Sequence, residues 1–486
     1  MDLGVRMDDS ALDRKEAAKH GRILPDGSGA AAHPSHVSLE GVHSSVEVPR
    51  YQAGFWEQWR AFVGPAVLVS VGYMDPGNWG TDLQGGAQFK YGLLWVVGLA
   101  SLMAIFMQVI SARLGVVTGK DLAQCCRDWY PKWSRWPNWL MSEVAIGACD
   151  LAEVLGSAVA LNLMFHIPLL WAVIITGLDV LLLLALQRFG MRTIEAVVLL
   201  LIATIGGCYF IEIFVLPQTQ PSFLEMGRAL VVPHLRQSGM LYVAIGIIGA
   251  TVMPHNLYLH SALVQSRKLQ KDEPSMRRAI HFNTIDSIAA LAIAFFVNAA
   301  ILVLAAMVFF GKESVTLSGG QVVKLSGGSD WIRVAYLTLA PLLGTAAASS
   351  LFAVALLASG QSSTITGTLA GQVVMEGFMH WRIKPWVRRL ITRTLAILPA
   401  VFIIGLRGDS SVTDLLTLSQ VVLALQLPFA MFPLLHFTSS RKRMGTWKNG
   451  WFLLIAGWAS AILITTMDIF GLPDSLKAAW QVIVGG

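Results

Sequence analysis

Apolar stretches of about 20 residues recur along the chain, each long enough to cross ~30 Å of hydrocarbon as a helix. Eleven are legible, near residues 61–84, 91–117, 137–164, 168–187, 193–216, 240–266, 284–310, 331–360, 387–406, 413–437 and 448–470. The pattern predicts an all-α integral membrane protein with 11 transmembrane helices. Two of the stretches are interrupted. The first carries Gly72-Tyr73-Met74-Asp75-Pro76-Gly77-Asn78, and the sixth carries Ala250-Thr251-Val252-Met253-Pro254-His255-Asn256. Aligning the prolines aligns the asparagines, so D-P-G-N stands opposite M-P-H-N. Five-span blocks at about 61–216 and 240–437 then correspond, and an odd number of spans inverts the second block. Matching breaks in two halves are a sequence pointer to a transporter's binding site.

Pro76 has no N–H to offer the carbonyl of Gly72, and Pro254 has none for Ala250; Gly77 loosens the first break further. Irregular backbone at membrane depth survives only where it is buried in protein or lines a cavity. The carbonyls of Gly72 and Ala250 are therefore candidate cation ligands, the alternative being a plain proline kink in each helix. Asp75 lies mid-span, where a carboxylate costs at least ~2.5–3.5 kcal/mol without a partner. With Asn78 and free carbonyls it suits a hard cation. Met253 changes that expectation, because a thioether favours later or softer transition metals. Elsewhere a methionine is commonly core packing.

Composition supports the membrane reading: 55% of residues are hydrophobic and 14% charged, against roughly 25% charged in a soluble domain. The net charge of +6 reflects topology rather than a nucleic-acid partner. With the N-terminus inside, 28 of the 36 Lys and Arg residues fall in or near cytoplasmic segments, which is the positive-inside signal. Eleven spans place the C-terminus outside. Residues 1–50 are polar, with no apolar run, and are expected to be a disordered cytoplasmic tail; residues 51–486 form the transporter domain. His20, His33, His36 and His43 in the tail are irregularly spaced and at most a weak metal site. The four cysteines, Cys125, Cys126, Cys149 and Cys208, give neither a CxxC pair nor a disulfide framework. No glycosylation sequon occurs, which favours a bacterial membrane.

The third span carries Glu143, Asp150 and Glu153 within one helical stripe. They read as a proton relay or ion pathway, or as salt-bridge partners of Arg267, Arg388 and Arg389. His255 and His260 follow the sixth-span break and are either proton carriers or structural rings.

These motifs resemble the Nramp family of divalent-metal transporters from about Ala61 to Phe437. The likeness rests on the D-P-G-N and M-P-H pair, Asp150-Leu151-Ala152-Glu153, the run Gly360–Phe378 after span eight, and Leu418–Leu423 in span ten. It implies the fold of amino-acid/sodium symporters, with two inverted five-helix repeats and broken helices 1 and 6. It implies proton-coupled import of Mn²⁺ first and Fe²⁺ next, with Cd²⁺ and Co²⁺ also carried. Metal ligands map onto Asp75, Asn78, Met253 and the Ala250 carbonyl, joined in some conformations by the Gly72 carbonyl or the Gln420 side chain. Many relatives have Ala where this chain has Gly72, a change a backbone ligand should tolerate. The proton path maps onto Asp75, Asp150, Glu153 and His255, with Glu143, Arg267, Arg388 and Arg389 as charged partners; Asn298 and His260 map to gating or site-lining positions. The expected partners are a divalent metal ion, a proton and the lipid bilayer of the cell (inner) membrane. No cofactor, nucleic acid or obligatory protein partner is expected.

A magnesium transporter of a related branch is the nearest rival, and Met253 argues against it. A membrane sensor built on the same fold would need an output domain, whereas about 16 residues follow the last span. A sodium-coupled amino-acid symporter would not want Asp75 near its substrate carboxylate. Without HExxH or a similar ligand pair, an intramembrane metalloprotease or other enzyme is not expected.

Overall fold

The computed structural model describes residues 46–49 and 54–484, apart from 179–195, most of 197–221, and short stretches at 234, 236, 271, 317–321, 325–330, 336–345 and 409–411. Most of span five, the second part of span four, Cys208 and the four tail histidines lie outside the described residues.

Both prolines begin new helices. In the first span, α2 (Pro65–Gly72) stops and α3 (Pro76–Phe89) starts with Asp75 as its N-cap; Asp75 accepts a hydrogen bond from the Asn78 N–H. In the sixth, α9 (Met240–Val252) gives way to α10 (Pro254–Leu263) across Met253, whose φ of 42° lies in the left-handed region. A proline alone does not force this. Pro428 and Pro433 lie inside one unbroken helix, α14 (Val412–Ser439). The two spans are therefore broken rather than kinked, and residue 253 holds a strained backbone where the break falls.

The remaining long helices are α4 (Leu94–Thr118), α6 (Arg135–Phe165), α11 (Glu273–Val308), α12 (Ala346–Met379), α13 (Pro385–Arg407) and α16 (Trp451–Val484). Seven helices among the described residues are long and apolar enough to cross a membrane, and the split first span and α12 stand beside them. The broken sixth span is the centre of the bundle: 89% of its apolar window is buried, against 28% for α13 and for α16. Leu395, Leu398, Phe402 and Leu406 on α13, and Ile455, Ile462 and Ile469 on α16, are mostly exposed. Such apolar stripes on a bundle's outside suit hydrocarbon, not water.

Several elements differ from the sequence expectation. The run Gly360–Phe378 lies within α12, not after span eight. Its Gly360 and Gly367 pack closely against Ser157 and Glu153 of α6, and Thr364 donates to Glu153. Two short helices occupy connections: α5 (Leu122–Trp129), opened by an Asp121–Gln124 capping box, and α8 (Phe223–Val231). Within the expected tail, β1 (Val46–Glu47) pairs in parallel with β2 (Arg267–Lys268) just after the sixth span.

Beside that pair the start of span one is tied down. The buried Arg267 guanidinium donates to the carbonyls of Ala61, at 3.0 Å, and Val63, at 2.6 Å. Asp286 on α11 accepts from the backbone N–H groups of Gly64 and Ala66, at 3.3 and 3.0 Å.

Candidate metal centre

The two breaks face each other. Asn78 Nδ2 donates to Asp75 Oδ1 at 2.7 Å and to the Ala250 carbonyl at 3.0 Å, so one side-chain nitrogen stands between two acceptors from opposite halves. Its Oδ1 accepts from Asn298 Nδ2 at 3.2 Å and from the Thr251 hydroxyl at 3.4 Å. Asn298 also donates to the Tyr73 carbonyl at 2.8 Å, which brings α11 to the break. Asp75, Asn78, Ala250, Met253 and Gln420 are all buried, and the point where the breaks meet is enclosed by protein.

Among the candidate ligands, Asp75 Oδ2 and Gln420 Oε1 have no hydrogen-bond partner, and neither do the Oδ1 atoms of the adjacent Asn298 and Asn256. Buried polar atoms are nearly always paired, and an unpaired carboxylate oxygen in an apolar bundle is costlier still. Gln420 reaches the break because Gly77 and Gly249 carry no side chains. A Cβ on Gly77 would overlap the Gln420 amide, and one on Gly249 would overlap the Gln420 carbonyl. The Met253 sulfur lies 3.3 Å from where a Cβ on Gly72 would be, so the thioether crosses from the sixth span to the first. A Cβ at 72 would also overlap the Asn256 amide, so alanine there requires that side chain to shift.

The donor set is therefore one carboxylate, two amides, backbone carbonyls and a thioether. Among the described residues no group of three His, Cys, Asp or Glu side chains could hold a metal. The ligands offered here are mainly neutral, and a hard carboxylate beside a soft sulfur suits a transition-metal ion.

The acidic stripe stands one helical turn from the break, because Pro76 packs against Gly156, where a Cβ would overlap the proline ring. Arg389, from α13, bridges Asp150 and Glu153, the latter at 3.3 Å. Glu153 also accepts from Thr364 of α12 at 3.1 Å and from the Cys149 thiol at 3.6 Å. Arg388 contacts both oxygens of Glu143, at 2.7 and 2.9 Å. Glycines of the α12 run make room here: Gly367 abuts Glu153 and Gly371 abuts the Arg388 guanidinium. Arg267 is placed elsewhere, because the chain after α10 turns toward the start of span one, where Ala61 and Val63 present carbonyls.

His260 lies in a buried chain running from its Nδ1 to Gln108 (2.9 Å), to the Tyr73 hydroxyl (2.7 Å), to the Val252 carbonyl (3.4 Å). It links the backs of both breaks rather than lining their meeting point. His255 is buried in the first turn of α10 with Nδ1 unpartnered, within electrostatic reach of Asp150.

Sequence reasoning passed over two charged residues. Arg393, one turn beyond Arg389, lies 3.7 Å from Glu153; that i+4 spacing was the available signal. Asp82, the other acid of span one, is 1% exposed, with neither oxygen hydrogen-bonded, and senses the charge of Asp75.

The comparisons with known proteins agree on one group. The family described as "Nramp: Natural resistance-associated macrophage protein-like" matches residues 66–472. A divalent metal cation transporter MntH from Nostoc sp. is 51% identical over 444 residues, 90% of this chain and 96% of the relative. Another of the same name, from Mesorhizobium japonicum, is 48% identical over 443 residues, 90% and 94% of the two chains. The structure is similar to an Eremococcus coleocola manganese transporter bound to an aromatic bis-isothiourea compound, with a TM-score of 0.79 and 39% identity over 90% of this chain and 91% of that one. A nucleobase-cation-symport-1 family transporter, at 13% identity and a TM-score of 0.50 over 93% and 96% of the chains, shares the fold alone.

Proposed function

Because the chain belongs to the Nramp family, we propose that this multi-pass membrane protein imports divalent transition-metal ions together with protons by alternating access. Manganese is the first cargo and iron the next, with cadmium and cobalt also carried. The observation that carries the reading is the unpaired, buried Asp75 Oδ2 where two broken spans meet, within a donor set that includes the Met253 thioether.

The ion sits between Asp75, Asn78, the Ala250 carbonyl and Met253, with Gln420 or the Gly72 carbonyl joining in some conformations. In this structure Asn78 Nδ2 holds the Asp75 and Ala250 oxygens together. Ligation by Asn78 requires its amide to turn, releasing both oxygens and presenting Oδ1 in place of the nitrogen. A cation at Asp75 disfavours a proton there. The proton passes to the stripe of Asp150 and Glu153, across the Pro76–Gly156 contact, with His255 beside the path and Glu143, Arg388, Arg389 and Arg393 as charged partners. The N-terminus faces the cytoplasm, as the distribution of Lys and Arg suggests, and the C-terminus lies outside the cell (inner) membrane. For the ion to leave inward, the ties from Arg267 and Asp286 to the start of span one must open.

The test is uptake of Mn²⁺, Fe²⁺, Cd²⁺, Ca²⁺ and Mg²⁺ into proteoliposomes with internal pH recorded. Mn²⁺ and Fe²⁺ should enter with acidification, and Ca²⁺ and Mg²⁺ should be excluded. Metal uptake without acidification removes the proton from the mechanism. Preference for Mg²⁺ makes the chain a magnesium carrier instead.

A further inference from the structure

Asn256 closes the M-P-H-N run, and neither the ligand set nor the proton path uses it. It is buried, its Nδ2 donates to the Met253 sulfur at 3.4 Å, and its Oδ1 has no partner. The same amide covers Gly72, filling the space that a Cβ there would occupy. Gly72, Met253 and Asn256 thus meet across the break, with the amide lying against Gly72 and the thioether beside both.

A methionine side chain has three rotatable bonds and settles into many shapes, and a thioether is only a weak acceptor. A donor fixed beside the sulfur engages one lone pair and leaves the other free to face the site. Met253 starts from a left-handed backbone (φ 42°), so its side chain leaves the break along a path that standard helix packing does not prescribe. The amide supplies what the backbone does not, a fixed position for the sulfur. Gly72 is the condition for it, since any Cβ there displaces the amide.

We infer that Asn256 is a specificity-determining residue, which sets the site's preference for soft metals by holding the Met253 sulfur over Gly72. The inference rests on Met253 ligating the transported ion, as proposed above. It makes a cargo that depends on sulfur, such as Cd²⁺, more sensitive to Asn256 than a cargo held mainly by oxygen, such as Mn²⁺.

The experiment is concentration-dependent uptake of Mn²⁺ and Cd²⁺ by the full chain in proteoliposomes, read as the ratio of kcat/KM for the two ions. Asn256→Val should lower the Cd²⁺/Mn²⁺ ratio about tenfold, equivalent to about 1.4 kcal/mol. Gly72→Ala should shift the ratio in the same direction, and Gly72→Ala with Asn256→Val should go no further than Asn256→Val alone. In a Met253→Ala background, Asn256→Val should leave the ratio where it is. A purely structural role slows both ions alike, so an unmoved ratio in Asn256→Val overturns the inference, as does a further fall in the Met253→Ala background. A wild-type chain that carries neither ion sinks the functional reading and the inference with it.

Discussion

Arg389 offers a direct test of how the acidic stripe is held. Its guanidinium is 1% exposed and contacts two carboxylates that are themselves 0–1% exposed. At the 3.3 Å separation from Glu153, a unit pair attracts by about 5 kcal/mol at an effective dielectric of ~20. The net effect of removal is smaller, about 3–5 kcal/mol for a buried pair that loses one partner, and arises from the charge left behind. Arg389→Leu leaves Asp150 and Glu153 sharing Arg393, which lies 3.7 Å from Glu153. The expected loss lowers the melting temperature of the detergent-purified protein by on the order of 5 °C. If unbalanced charge is the cause, removing one negative charge restores part of it. Arg389→Leu with Asp150→Asn should therefore melt above Arg389→Leu alone, although it carries one more substitution. Melting curves for the wild type, both single variants and the double variant close the cycle. Additive losses, with the double variant the least stable, would refute the argument that Arg389 acts by balancing buried charge.

Met253→Ala should admit Ca²⁺ or Mg²⁺ while Mn²⁺ uptake partly persists, because only the sulfur discriminates against hard ions; continued Ca²⁺ exclusion in liposomes counts against that role. Asp121, in the connection that opens α5, has its carboxyl pushed up to about 7 by burial, against hydrogen bonds from the backbone of Gln124 and Ala123 that lower it. An acid whose folded value lies above its unfolded value destabilises the fold progressively as pH rises from about 4 to about 7. The melting temperature should fall across that window, and Asp121→Asn should flatten the fall while keeping the cap; an unchanged slope rejects the assignment. Asp82→Leu replaces a buried carboxylate that has no hydrogen-bond partner, so it should raise the melting temperature, by the equivalent of about 1–3 kcal/mol. A drop shows that the carboxylate is held by contacts other than hydrogen bonds.

How legible each feature was follows from what determines it. The breaks were visible because proline removes a donor at a fixed place in the chain, so Pro76 and Pro254 mark α3 and α10 without tertiary information. Proline alone does not decide a break over a kink, since Pro428 and Pro433 sit inside α14; the matching interruption in the other half and the family resemblance pointed to the break. Span eight was misplaced for the opposite reason. Gly360, Gly367 and Gly371 lower helix propensity, and only the approach of Ser157, Glu153 and Arg388 shows why they are there. Arg388 and Arg389 could be matched to the acids by depth alone. Arg267, of like charge, goes to Ala61 and Val63 because of how the chain turns after α10, which no spacing encodes. The Asn256 contact with Met253 depends on a positive φ at residue 253, which local sequence rarely announces for a residue other than glycine.

Charge balance narrows where the proton must be handled. Asp150 and Glu153 face Arg389 and Arg393, and Glu143 faces Arg388, so the stripe holds as many cations as anions. It has no negative charge to spare for a divalent ion. At the break only Asp75 supplies formal charge, because Asn78, Ala250, Met253 and Gln420 are neutral. A doubly charged ion at Asp75 leaves one net positive charge in the middle of the bundle, where such a charge is expensive. Asp82, on the next turn after Asn78 and within electrostatic reach of Asp75, is the other unpaired acid of span one. Asp75→Asn leaves the break with no formal negative charge and should abolish Mn²⁺ uptake while the Arg389 network stays intact. Mn²⁺ transport at wild-type rates by Asp75→Asn, with a normal melting curve, would show that the neutral ligands suffice and that the charge argument is wrong.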